Sequence, residues 1–223
     1  MENTELFKDG AFTHVNEVIL VGPIVRKYTN DVACNLTIKT PRLNMPNITK
    51  GGEASYNYPE VAFYTVSAAD ADKFNEGDVV EIHGMIQPKK KIAKETGREY
   101  YNQKLIGMEI KPAEKVLQRE FGIDDGNPVE SKNLVRLAGV VSKIATPSEG
   151  VISLNIRTFV NGRVNNIQTF MYDRNVGKYM EKYRVGDRVV AVATIQTLKK
   201  KINDDQDKYY RNVVLSALYK VEE

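Results

Sequence analysis

The sequence predicts a mainly β protein made of two tandem five-stranded barrels, each with a short helix between its third and fourth strands. The first observation is an internal repeat, because residues 75–101 and 184–210 share one pattern at a constant offset of 109. The second is that apolar runs are short, rich in β-branched side chains and separated by turn residues, which is typical of β domains. The repeated pairs are Gly77-Asp78 with Gly186-Asp187, Ile86-Gln87 with Ile195-Gln196, and Tyr100-Tyr101 with Tyr209-Tyr210.

In the first copy, the order of apolar runs and turn residues predicts five strands. The run 18–25 is apolar, and the pair Gly22-Pro23 within it predicts a bend or bulge. Residues 41–59 hold three prolines and two adjacent glycines, which predicts a long irregular segment before strand three. Residues 68–74 predict the short helix, which we expect to end before Gly77. The other predicted strands are 32–40, 61–67, 79–86 and 98–110.

The second copy repeats this order with a shorter loop. The offset falls from 117 in strand one to 109 in strand four, because the 41–59 segment shrinks to a tight Asn161-Gly162 turn. Length differences of this kind belong in surface loops, so the two offsets indicate one duplicated fold. We predict a first domain over residues 1–111, a linker over 112–132 and a second domain over 133–223. The predicted strands of the second copy are 134–144, 151–159, 165–172, 189–197 and 208–219, with a helix over 174–183.

Composition and charge exclude several classes of protein. The net charge is only +3, so any attraction to nucleic acid must come from how the basic side chains are distributed. No run approaches the roughly 18 apolar residues of a membrane span, and the N-terminus lacks the apolar core of a secretion signal. We therefore expect a cytoplasmic protein that does not bind membranes.

Catalytic and metal chemistry is not expected. Cys34 is the one cysteine in the sequence, which excludes an internal disulfide and a cysteine zinc cluster. His14 and His83 lack partners at the spacings of known metal-binding or nucleophile motifs. The sequence therefore predicts a binding protein without a cofactor rather than an enzyme.

Five strands with a short helix between strands three and four is the order of the OB-fold, a small Greek-key barrel. Residues 16–22, 74–80 and 84–87, in this order and spacing, resemble the bacterial and phage single-stranded DNA-binding protein (SSB) family. The resemblance covers residues 15–110 and, more loosely, 133–219. It implies two tandem OB barrels that bind single-stranded DNA, although family subunits usually carry one barrel and form tetramers. The family also commonly stacks bases on tryptophan, and this chain has none.

The segment between strands four and five carries clustered basic side chains in both copies. Such lysines can neutralise phosphates without reading sequence, or they can simply keep a solvated hairpin edge soluble. Their presence at matching positions favours binding, and the first copy has the more positive balance, so we expect it to bind more tightly. The candidate phosphate-binding residues are Lys89, Lys90, Lys91, Lys94, Arg98 and Lys104 in the first copy, and Lys199, Lys200, Lys201, Lys208 and Arg211 in the second.

Tyrosines supply the candidate base-stacking residues. Adjacent strand residues point to opposite faces, so we expect one tyrosine of each Tyr-Tyr pair in the groove and the other in the barrel. Tyr100 shares a polar face with Asn102 and Lys104, which favours Tyr100 and Tyr209 as the exposed members. Aromatic rings on the long loop either stack bases or pin the loop onto the barrel. The further candidates are Tyr28, Tyr56 and Tyr58 for stacking, and Lys39 and Arg42 for phosphates.

Together these patterns predict a sequence-tolerant single-stranded DNA-binding protein of replication, recombination or repair, and they are compatible with a phage or plasmid type. Two alternatives stay open. One is binding of single-stranded RNA, which OB barrels also take. The other is a protein-docking or oligomerisation role for one barrel, with the second as the better candidate. Replication or recombination proteins are compatible partners, and so is a second copy of the chain, since a homodimer would present four barrels.

Overall fold

The described residues of the computed structural model lie mostly in strands. The structure describes residues 7–8, 11–42, 56–92, 99–113, 132–172, 181–203 and 206–221, and gives the backbone alone for 7–8, 11, 90–91, 99–101, 199–203 and 206–209. The first-copy elements are β1 (Phe7–Lys8), β2 (Ala11–Phe12), β3 (Val15–Thr29), β4 (Ala33–Ile38), β5 (Thr40–Pro41), β6 (Tyr56–Asn57), β7 (Glu60–Tyr64), α1 (Val66–Ala71), β8 (Val79–Ile92) and β9 (Glu99–Pro112).

The first copy closes into a five-stranded barrel. Strand β3 pairs with β4, β4 with β7, β7 with β9, β9 with β8, and β8 with β3 again, with β7 and β9 parallel and the others antiparallel. Alternate residues point inward and form one apolar core. The predicted mainly β architecture is confirmed, with a closed five-stranded barrel that is consistent with the OB-fold. Helix α1 follows the third barrel strand along the chain. Fully buried core residues include Leu20, Ile24, Leu36, Ile38, Phe63, Ile82 and Ile86.

Strand β3 runs unbroken through Gly22-Pro23, and the predicted bulge falls slightly later in the strand. The register of β3 against β4 shifts between Ile24 and Arg26. Gly22 is required for a different reason, since a Cβ atom there would lie 2.2 Å from the carbonyl oxygen of Lys39. Only glycine lets the two strands approach this closely.

The second copy repeats the pairing order. Its strands are β10 (Lys132–Ser148), β11 (Val151–Val160), β12 (Arg163–Tyr172), β13 (Arg188–Asn203) and β14 (Gln206–Lys220). Strand β10 pairs with β11, β11 with β12, β12 with β14, β14 with β13, and β13 with β10. Asn161 and Gly162, with φ of 53° and 72°, make the tight turn between β11 and β12. Of the helix predicted over 174–183, residues 181–182 are helical and residues 174–180 lie outside the described residues.

The two barrels share one continuous sheet. Residues 15–21 of β3 pair antiparallel with residues 132–138 of β10. Val18 lies opposite Val135, its own equivalent 117 residues later, so the pairing has an internal two-fold axis. Of the predicted linker over 112–132, residues 114–131 lie outside the described residues. The last linker residue, Lys132, belongs to β10. Backbone hydrogen bonds therefore join the barrels, which the sequence did not indicate.

Candidate nucleic-acid interface

A polar and aromatic surface lies on the outside of the first barrel, over β4 to β7. Side chains alternate along these strands, so residues between buried Leu36, Ile38 and Val61 point away from the core. We call this surface the first face. It consists of Thr37, Lys39, Tyr56, Tyr58 and Glu60, with Lys104 on neighbouring β9.

The predicted stacking residues on and near the first face differ in how much of each ring is available. Lys39 Nζ lies 4.1 Å from the centroid of the Tyr56 ring, a cation–π contact that covers one side of that ring. Tyr58 is 44% exposed, and Tyr28, near the end of β3, is 58% exposed. Tyr58 and Tyr28 therefore present ring surface to solvent, whereas Tyr56 already interacts with Lys39.

A groove of about 890 Å³ runs between the first face and the second barrel. Its lining is Val25, Arg26, Thr37, Arg42, Tyr56, Tyr58, Glu60, Thr197, Leu198 and Arg211. Arg42 Nη2 donates to the carbonyl oxygen of Thr197 at 2.6 Å, and Arg42 Nε donates to Asn57 Oδ1 at 3.3 Å. The backbone N–H of Thr197 donates to the same Asn57 oxygen at 3.0 Å. Both barrels therefore contribute walls to the groove and are bonded together beside it.

Each barrel's hairpin reaches the third strand of the other barrel. Arg211 Nη1 donates to the carbonyl oxygen of Glu60 at 2.7 Å. Gln103 Nε2 donates to the carbonyl oxygen of Gln168 at 2.9 Å, and the Gln168 N–H donates to Gln103 Oε1 at 2.7 Å. In the strand registers, Arg211 is equivalent to Gln103 and Gln168 to Glu60, each 108 residues apart. Arg42 and Arg211, predicted to bind phosphates, thus also hold the barrels together.

The lysine clusters lie within strands rather than in a turn. Strands β8 and β13 extend to Ile92 and Asn203, beyond their predicted ends at residues 86 and 197, so each hairpin is a long two-stranded ribbon. Lys89 is exposed and Lys104 is half-buried. For Lys90, Lys91, Lys199, Lys200, Lys201, Lys208, Tyr100 and Tyr209 the backbone alone is described, and Lys94 and Arg98 lie outside the described residues.

The backbone register corrects the predicted match between the Tyr-Tyr pairs. Tyr101 lies opposite Lys90 and Tyr209 lies opposite Lys199, and these two lysines are 109 residues apart. The counterpart of Tyr209 is therefore Tyr101 rather than Tyr100, because the second hairpin is one residue shorter near its turn. Tyr210, which we expected inside the barrel, is 39% exposed. That expectation is wrong because Tyr210 lies on the ribbon, which projects from the barrel.

Two further tyrosines, which the sequence patterns did not indicate as candidate site residues, lie beside the two hairpins. They are Tyr64 and Tyr172, and they occupy equivalent positions. Lys104 Nζ donates to Tyr64 Oη at 3.4 Å, and Asn212 Nδ2 donates to Tyr172 Oη at 3.4 Å. Tyr172 is 46% exposed. Strand alternation indicates that Tyr64 lies on the outer surface, because it follows the buried Phe63 and so points away from the core.

Acidic groups with a perturbed pKa lie away from the groove lining. The pKa values of Asp72, Glu81 and Asp187 are lowered chiefly by hydrogen bonds from Lys27, His83 and Lys220, respectively. The acidic residue in the lining is Glu60, and Arg211 Nη2 lies 3.8 Å from its Oε1. Among the described residues, no three His, Cys, Asp or Glu side chains are grouped so that they could hold a metal ion. In the same part of the chain, no helix has the length and apolar character to cross a membrane.

Solved structures share this fold along nearly the whole chain, whereas no protein-family model and no curated protein sequence matches it. A deletion mutant of the single-stranded DNA binding protein from Thermus aquaticus superposes with a TM-score of 0.63 at 14% identity, over 95% of this chain and 96% of that one. The wild-type protein superposes with a TM-score of 0.61 at 15% identity, over 95% of each chain. The chain therefore has the fold of a single-stranded DNA binding protein.

Proposed function

We propose that this chain binds single-stranded DNA without sequence preference, along the first face and the groove beside it. The observation that carries the proposal is the exposed ring of Tyr58 in a groove that Arg26, Arg42 and Arg211 also line. A sequence-tolerant single-strand site needs cations for the backbone and an aromatic ring for a base. The likeness in fold to a single-stranded DNA binding protein supports the same function.

Stacking on Tyr58 explains why a single strand would be preferred to a duplex. Every base has a π face, so stacking tolerates any sequence and contributes roughly 1–3 kcal/mol per base. In a duplex each base is paired and stacked on its neighbours, and exposing it costs a few kcal/mol. An exposed ring on a sheet surface therefore gains little from a duplex.

The binding unit in this proposal is the whole chain rather than one barrel. Thr197, Leu198 and Arg211 of the second barrel line the groove beside the first face. Asn57 and Arg42 hold Thr197 in place through its backbone N–H and carbonyl groups. Removal of the second barrel would therefore remove one wall of the groove as well as a second barrel surface.

Binding of this kind fits a role in DNA replication, recombination or repair, where strands are transiently unpaired. Single-stranded RNA offers the same phosphates and stacking faces, and its 2′-hydroxyl is the group that would distinguish it. A competition experiment tests the proposal: unlabelled DNA strand, RNA of the same sequence and the corresponding duplex each displace a labelled DNA strand. We expect the DNA strand to displace best and the duplex least. Displacement best by RNA would assign the RNA function instead, and equal displacement by the duplex would contradict the stacking role.

A further inference from the structure

We infer that Phe159, together with Arg157 and Lys143, forms a second stacking site on the second barrel for another part of the same DNA strand. The inference rests on the proposed single-strand binding. It extends that binding to a surface where the sequence did not predict any contact.

The site lies on what we call the second face, the outward surface of β10, β11 and β12. Phe159 and Arg157 alternate along β11 with the buried Ile156 and Thr158, so both point away from the core. Cross-strand pairs extend this surface onto both neighbouring strands. The pairs are Phe159 with Val164, Arg157 with Asn166, and Lys143 with Asn155.

The apolar part of the second face is a pair of exposed side chains next to the Asn161-Gly162 turn. Phe159 is 55% exposed, and Val164 opposite it is 61% exposed. Adjacent exposed apolar side chains with a polar rim mark a contact surface more often than isolated ones do. A flat ring on the outside of an OB barrel suits an unpaired base.

The cation beside Phe159 is held in a defined orientation. Arg157 Nε donates to Asn166 Oδ1 at 3.4 Å, and Ser142 Oγ donates to the same oxygen at 3.2 Å. Arg157, Lys143 and Arg163 are all exposed, and among the described residues none of them forms an ion pair. The second face therefore presents positive charge beside its ring, as the backbone of a stacked nucleotide requires.

Two of these cations lie at positions where the first barrel also carries a cation. In the strand registers, Lys143 occupies the position of Arg26, and Arg157 occupies the position of Lys39. Arg26 lines the groove of the first barrel. Both barrels thus carry a cation at these two positions of the proposed binding surface, although the residue types differ.

The aromatic residue has moved between strands while staying in the same cross-strand pair. In the first barrel, Pro41 lies opposite Tyr56. In the equivalent pair of the second barrel, Phe159 replaces the proline and Val164 replaces the tyrosine. Each face therefore keeps one ring at this place. Phe159 therefore lies at a position where the first copy has no aromatic side chain.

The second face should bind more weakly than the first. The position equivalent to the exposed Tyr58 is Asn166, which is bonded to Ser142 and Arg157. Since one OB barrel covers roughly 4–16 nucleotides, a strand of about 8 nucleotides would occupy the first face, and one of about 40 would reach both. The contribution of Phe159 is therefore expected with long strands only.

A tryptophan at position 159 tests the inference directly, because the chain has no tryptophan of its own. We expect long oligothymidylate to quench the fluorescence of Phe159→Trp, with a midpoint that matches binding measured by anisotropy. Phe159→Ala should weaken binding of the long strand about five- to a hundredfold and leave the short strand nearly unchanged. Phe159→Tyr should retain wild-type binding of both strands.

The matched control is Tyr219→Trp, which places the reporter at another exposed aromatic position. Tyr219 is 61% exposed and lies opposite Val190, near the end of β14. We expect its fluorescence to be unchanged by DNA. Two results would overturn the inference while the proposed function stands: an unquenched Phe159→Trp on a strand that binds tightly, or a change of oligomeric mass in Phe159→Ala with strand affinity intact. Failure of the wild-type protein to bind either strand would instead refute the proposed function itself.

Discussion

Asn133 repeats in the second barrel the two buried hydrogen bonds that Asn16 makes in the first. Asn16 Nδ2 donates to the carbonyl oxygen of Ile86 at 2.8 Å, and the Ile86 N–H donates to Asn16 Oδ1 at 3.0 Å. Asn133 forms the same two bonds with Ile195, both at 2.8 Å. Backbone pairing of β3 with β8 ends at Val18. The Asn16 side chain adds one further pair of hydrogen bonds beyond that point. The two asparagines therefore provide hydrogen-bond partners for the backbone of β8 and β13, at the point where each hairpin leaves its barrel.

The two asparagines should differ in their contribution to the free energy of unfolding. Asn16→Ala leaves the Ile86 N–H and carbonyl groups without a partner, which costs about 1–3 kcal/mol for each buried polar group. Asn133→Ala should cost more, because Asn133 Nδ2 also donates to Thr40 Oγ1 at 3.1 Å across the junction of the barrels. Urea unfolding of both variants measures the difference. Equal costs would mean that the bond to Thr40 contributes nothing to stability.

The lysine cluster of the first hairpin should set the salt dependence of DNA binding. Replacing Lys89, Lys90 and Lys91 with alanine is expected to weaken binding to every sequence alike. It should also reduce the salt slope, log K against log salt, by about 0.7 for each phosphate that is no longer neutralised. Anisotropy titrations across a salt series measure both quantities.

A matched control removes the same charge from other parts of the molecule. Lys73, Lys111 and Lys182 are exposed and do not line the groove, so their combined replacement with alanine should change the salt slope much less. An unchanged slope in the hairpin variant, or equal slopes in the two triple variants, would show that the hairpin lysines do not contact phosphates.

Tyr58 should contribute through its ring and not through its hydroxyl group. Tyr58→Ala is expected to weaken single-strand binding by roughly 1–3 kcal/mol, the usual value of one stacked base. Tyr58→Phe keeps the π face and should bind like the wild type. Titration of both variants with one labelled strand distinguishes the two contributions. A loss in Tyr58→Phe as large as in Tyr58→Ala would assign the effect to the hydroxyl group.

Acid should destabilise the second barrel through Asp187. Lys220 donates to this carboxylate at 2.8 Å and the Arg184 N–H also donates at 2.8 Å, which lowers its pKa. A lowered pKa in the folded state adds stability above the ordinary carboxyl value of about 3.9, and this stability is lost as the pH falls through the folded value. Asp187→Asn should therefore be less stable than the wild type at pH 7, with a smaller difference at pH 3.

Urea unfolding at pH 7, 5 and 3 measures this difference, and Lys220→Gln provides the companion variant. Lys220→Gln removes the largest cause of the lowered pKa and should reproduce most of the loss at pH 7. A difference between wild type and Asp187→Asn that is constant over the whole pH range would contradict the assignment.

Much of the fold could be predicted because the strands end at turn residues that sequence patterns show directly. The Gly77-Asp78 and Gly186-Asp187 turns are one example. Both glycines have positive φ, 94° and 100°. Their backbone N–H groups donate to the carbonyl oxygens of Ile24 and Val141, which are equivalent residues. The sheet that joins the barrels could not be predicted in this way. It depends on which edge of β3 stays unpaired within its own barrel, and periodicity describes the faces of a strand rather than its edges.

The candidate site was less predictable for a related reason. Residue type indicated that Arg42 and Arg211 suit phosphates, but their bonds to Thr197 and Glu60 arise from contact between the barrels. A constant offset also matched Tyr100 with Tyr209, whereas a one-residue difference near the hairpin turn makes Tyr101 the counterpart. Local patterns therefore indicate which elements carry the candidate site, and strand register decides which of their residues are equivalent.

In the proposed function, the chain prefers single strands and holds them partly through phosphate contacts. The most direct test is fluorescence anisotropy of one labelled oligonucleotide, as a single strand and as a duplex, across a salt series. We expect a strong preference for the single strand, with log K falling by about 0.7 per neutralised phosphate for each unit of log salt. Equal, weak binding to both forms would contradict it and would make the lysines of the hairpins a solvated edge.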